Sequence, residues 1–72
     1  MKTKDFLFKK YEQVKEFLQA LDEINENELI VDYVMSSTEE GDYKVYVTFN
    51  ENADELDTYI VNNIALKIII AV

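Results

Sequence analysis

The sequence predicts an α+β fold: a two-layer α/β sandwich in the order α-β-β-α-β, its three-stranded sheet covered on one face by two helices. Three observations predict it. An apolar repeat of near-helical period fills the first third of the chain; two alternating segments flank its only glycine; and a second helix start precedes a β-branched run. At 72 residues the chain is one small acidic domain, residues 1–72.

The first element is expected as one amphipathic helix over residues 4–25. Leu7, Tyr11, Val14, Leu18 and Leu21 recur at spacings of four and three, and Phe6, Phe17 and Ile24 widen that line into an apolar arc. Lys10 falls on the inner arc, so either it snorkels or the helix begins later. Phe8 points outward on this reading, an exposed apolar side chain without a partner.

Residues 28–37 change period. Leu29, Val31, Tyr33 and Met35 alternate with Ile30, Asp32, Val34 and Ser36, which is a strand pattern. Residues 37–42 form a turn in which Gly41 supplies a positive φ, and residues 43–50 return as a second strand, giving an antiparallel hairpin. Residues 50–57 read as a helix start, with Asn50 or Asn52 as cap and Asp54 and Glu55 in the first turn, where free amides favour negative charge. Ala53, Leu56, Ile60 and Ile64 share its face, and Asn62-Asn63 is a plausible stop. The β-branched residues 66–72 are then a third strand, parallel to the second through a right-handed crossover. The competing reading is one long helix over 53–71, because Leu56, Ile60, Ile64 and Ile68 also recur at spacings of four. The predicted arrangement resembles a ferredoxin-like fold lacking its first strand, a likeness of architecture that carries no function.

Composition removes several chemistries. There is no cysteine, histidine, arginine, tryptophan or proline. Disulfides, thiolate nucleophiles and histidine bases are therefore absent, as are the usual ligands of structural zinc. Asn50, Asn52 and Asp54 imitate the opening of a calcium loop, but Glu55 stands where glycine is needed and Val61 where a bidentate glutamate is needed. No phosphate-cradling glycine motif exists, so no cofactor is expected. Carboxylate pairs one helical turn apart (Glu12 with Glu16, Asp22 with Glu26, Asp54 with Asp57) are the only catalytic raw material, and they fall on solvent faces or helix starts. An enzyme is not expected.

The amino-terminal segment lacks the apolar core of a secretory signal, and the longest apolar run, residues 68–72, is far short of the ~20 residues of a membrane span. With no cysteine, a cytoplasmic protein is the expectation. The net charge of −8 is unevenly spread: residues 1–15 hold five of the seven lysines and two acids, while the rest hold two lysines and thirteen acids. Direct nucleic-acid binding is disfavoured by that excess.

The acids form an outward stripe (Glu12, Glu16, Glu23, Glu26), a hairpin tip (Glu39, Glu40, Asp42) and a helix start (Glu51, Asp54, Glu55, Asp57). Carboxylates one turn apart lie about 6 Å from one another, a spacing suited to mimicking phosphates. The expectation is a non-enzymatic protein-binding module, an acidic inhibitor or modulator of the kind mobile elements or phages direct against host defences, occupying a basic surface of a protein partner. Glu39, Glu40, Asp42, Glu51, Asp54, Glu55 and Asp57 are its expected contacts. The alternative is a structural or regulatory homodimer whose acidity only confers solubility. Its interface would be the sheet face opposite the helices, bearing Ile30, Val34, Tyr46, Thr48, Ile69 and Ala71.

Overall fold

The computed structural model describes residues 2–24 and 29–70. Its elements run β1 (Lys2–Phe8), α1 (Tyr11–Ile24), β2 (Ile30–Ser37), β3 (Tyr43–Phe49) and α2 (Glu55–Ile70). The chain is thus α+β with a three-stranded sheet and two helices, but the order is β-α-β-β-α rather than α-β-β-α-β. The sheet order is β1-β3-β2 and both pairings are antiparallel. The expected parallel crossover strand is not formed, and the strand thought missing from the start of the chain is present.

The expected first helix divides at Lys9-Lys10. Before that point Phe6 and Phe8 alternate toward the helices, and Phe8, expected to be exposed, is fully buried, whereas Leu7 points to the opposite face and stays exposed. The helix begins later, as Lys10 suggested. Gln13 fixes that start: its Oε1 accepts hydrogen bonds from the backbone N–H groups of Lys9 and Lys10, each at 3.1 Å. A side chain in the first turn thereby satisfies amides that no helical carbonyl reaches. Gln13 Nε2 donates to the Ile68 carbonyl at 3.5 Å, which ties the start of α1 to the last turn of α2 and sets the helices antiparallel.

The hairpin forms as expected. Gly41 adopts φ 87°, and the turn closes through Thr38 N–H to the Asp42 carbonyl at 2.9 Å and Gly41 N–H to the Thr38 carbonyl at 3.1 Å. In β2 the register slips between Ile30, opposite Phe49, and Asp32, opposite Thr48. The extra residue, Val31, makes a bulge that turns Ile30 inward.

α2 is the single long helix of the competing reading, ending at Ile70 rather than at Asn62-Asn63. Its cap is neither Asn50 nor Asn52. Asp54 Oδ1 accepts from Asp57 N–H at 3.0 Å and Asp57 Oδ2 accepts from Asp54 N–H at 3.1 Å, a reciprocal capping box. Asn50 Oδ1 instead accepts from Asn52 N–H in the preceding turn. One core joins the elements: Phe6, Phe8, Val45, Val47 and Phe49 from one sheet face, Ile30, and Val14, Phe17, Leu21, Val61 and Ala65 from the helices. Phe17 sits between Phe6 and Phe8, with ring centroids 5.0 Å from each.

Candidate functional site

The expected acidic contacts do not converge on one spot. β3 runs from the hairpin tip to the start of α2, and seven residues at about 3.3 Å each put Glu39, Glu40 and Asp42 roughly 20 Å from Glu51, Asp54, Glu55 and Asp57. α1 spans that gap. Its start adjoins the hairpin tip, where Lys9 Nζ meets Asp42 Oδ2 at 3.1 Å, and its last residue, Ile24, borders a cavity with Ile30 and Phe49 at the other end of the strands. Glu12, Glu16 and Glu23 are exposed on α1 and share one face, opposite Val14, Phe17 and Leu21. Glu26, the fourth of that stripe and half of the Asp22 pair, lies outside the described residues.

The seven expected contacts separate into two groups. Glu39, Glu40, Glu51 and Glu55 are exposed and form no ion pair among the described residues. Asp42, Asp54 and Asp57 have structural tasks. Asp42, its side chain only 19% exposed, anchors the hairpin to Lys9; Asp54 and Asp57 cap α2. Asp57 also borders an otherwise apolar cavity of about 150 Å³ between Ile24, Ile30, Phe49 and Val61. No group of three or more His, Cys, Asp or Glu among the described residues could hold a metal ion.

On the outer sheet face Val34 pairs with Tyr46, 55% and 37% exposed, and Thr48 Oγ1 lies 3.3 Å from Thr3 Oγ1. Two other expected members of that face are not there. Ile30 is buried in the core because of the bulge, and Ile69 stands exposed on α2, far along the chain from any strand. Ala71 lies outside the described residues. At the edge of the helical layer, Tyr33 donates to Asp22 Oδ1 at 3.0 Å, and this bond to a carboxylate raises the phenol above its ordinary value, with desolvation and the Asp22 charge acting in the same direction.

Sequence periodicity did not reveal the flank formed by β1 and α2. Phe6 and Leu7 of β1 and Tyr59, Asn62, Leu66 and Ile69 of α2 border a groove of about 390 Å³. A shallower continuation of about 250 Å³ holds Lys2, Lys4, Glu55 and Thr58. The signal available in the sequence was α2 itself, which from Thr58 to Ile70 carries Lys67 as its one charge and has apolar residues on every side. Among the described residues no helix is long and apolar enough to cross a membrane. Comparison with protein families, curated proteins and solved structures finds nothing that this chain matches.

Proposed function

We propose that this chain is a non-enzymatic protein-binding module, an acidic inhibitor or modulator that offers its carboxylates to the basic, nucleic-acid-handling surface of a protein partner. The reading takes it as a cytoplasmic two-layer sandwich that works without a cofactor. One observation carries it: Glu12, Glu16 and Glu23 are exposed on one face of α1, and neither they nor the exposed Glu39, Glu40, Glu51 and Glu55 form an ion pair among the described residues. Exposed glutamates without a close ion pair, Lys67 being the lysine that borders the same depression as Glu16 and Glu23, attract a basic groove over distance and suit a surface that handles nucleic acid.

The test replaces Glu12, Glu16, Glu23, Glu39, Glu40, Glu51 and Glu55 by Gln together and leaves the structural Asp42, Asp54 and Asp57 in place. Captured partner from the native lysate should be lost, with circular dichroism and melting temperature unchanged, and wild-type capture should weaken steeply with salt. Undiminished capture by the variant refutes the reading. A homodimer through the outer sheet face is the second reading, favoured by the exposed Val34–Tyr46 pair. Sedimentation equilibrium tests it: a dimer that Tyr46→Glu dissociates supports it, and a monomer at high concentration removes it.

A further inference from the structure

β1 is an edge strand of the sheet. β3 occupies one side of β1, and among the described residues nothing pairs with the other. Above that edge α2 projects Tyr59, Leu66 and Ile69, which are 61%, 52% and 41% exposed. Edge lysines alone are an ordinary defence against unwanted pairing. Here the inward positions of β1 change character along the strand: Lys2 and Lys4, with no ion pair among the described residues, give way to Phe6 and Phe8.

From this we infer that the β1 edge accepts an extended segment of another protein as a fourth strand, one carrying acids opposite Lys2 and Lys4 and apolar side chains opposite Phe6 and Phe8. Strand addition supplies main-chain hydrogen bonds for affinity, and alternate side chains entering the groove beneath α2 supply specificity. A second copy does not meet that need. Neighbouring strands of one sheet set inward positions beside inward positions, and those of β1, Lys2, Lys4, Phe6 and Phe8, hold no acid, so the β1 edge of another copy offers Lys2 and Lys4 either a lysine or an apolar ring. Of the seven glutamates neutralised above, only Glu55 borders this surface, so the two surfaces meet at that residue alone.

The probe is a fluorescein-labelled peptide with the order Val-Thr-Leu-Thr-Glu-Thr-Glu, which antiparallel pairing places against Phe8, Phe6, Lys4 and Lys2. Fluorescence anisotropy should show binding that falls about tenfold with Lys2→Glu/Lys4→Glu. The same variant should bind the peptide in which both Glu are Lys. Leu66→Asp/Ile69→Asp should also abolish binding, while amide exchange of β1 slows in the wild-type complex. Circular dichroism of each variant confirms the fold. Equal binding of the Glu and Lys peptides by the wild type, no protection of β1, or sedimentation showing a dimer that Lys4→Glu dissociates would each overturn the inference.

Discussion

Replacing Gln13 by Leu keeps the volume close to that of the wild type and removes one acceptor and one donor. The Oε1 atom satisfies two backbone N–H groups at 3.1 Å, and the side chain is only 7% exposed. A net hydrogen bond contributes about 1 kcal/mol, and caps of this kind about 0.5–2 kcal/mol. Lys9 and Lys10 are exposed, so water can recover part of the loss, and the long contact to the Ile68 carbonyl adds little. The expected cost is about 1.5 kcal/mol. Against a total of roughly 4–11 kcal/mol for a chain of this length that is a large share, and it lowers the melting temperature by about 10 °C. Urea denaturation followed by circular dichroism measures it, with the midpoint moving and the slope unchanged. Gln13→Glu retains the acceptor beside the amino-terminal amides and should lose less than half as much at neutral pH. A Gln13→Leu change within about 0.3 kcal/mol of wild type would refute the account of how α1 begins. So would a Gln13→Glu loss equal to that of Gln13→Leu.

Other substitutions probe separate links. Phe17→Ala removes the ring held between Phe6 and Phe8 and should cost about 3–5 kcal/mol, enough to leave much of the protein unfolded at 37 °C by calorimetry. Gly41→Ala meets no atom within 4 Å, so its cost is the left-handed backbone alone, about 1 kcal/mol in urea denaturation, and Gly41→Asn should recover part of it. The phenol of Tyr33 is raised chiefly by its bond to Asp22, so this bond contributes stability below pH 10 that is lost as pH rises through the higher folded value. In an NMR titration resolving the five tyrosines, Asp22→Asn should return Tyr33 toward 10; an unmoved midpoint would exclude that bond as the cause.

The hairpin was legible because both of its strands alternate and one glycine separates them. The acids were legible as clusters, but their tasks were not. That Asp42 reaches Lys9, and that Asp54 and Asp57 cap each other, depends on which backbone amides lie free, and spacing alone allowed Asn50 or Asn52 to do the capping. β1 was hidden by its own composition. Two of its four inward positions are lysines, and outward Leu7 happens to continue the helical line through Tyr11 and Val14. Ile30 defeated a strict alternation because a bulge cannot be read from period two.

The misread segments belong largely to one region, and that coincidence has a physical reason. A strand with lysines on its inward side and a helix with apolar residues on every side both break the usual match between pattern and burial. In α2 the uniform apolarity left the direction of its face undetermined: Val61 and Ala65 are buried, while Leu56 and Ile60, expected inward, are exposed. Within the described residues the break is only partly compensated on that flank. Lys2 and Lys4 share a groove with Glu55 but form no ion pair with it, and Leu66 and Ile69 stay about half exposed. A strand bearing acid and apolar residues in alternation would satisfy both deficits at once. The acidic track of α1 needs no such completion, since its charges are solvated as they stand. On these two proposals the surfaces differ in degree: binding through the track alone should weaken steeply with salt, whereas binding at the β1 edge should lose only the share owed to Lys2 and Lys4 and keep the share owed to backbone pairing and apolar burial.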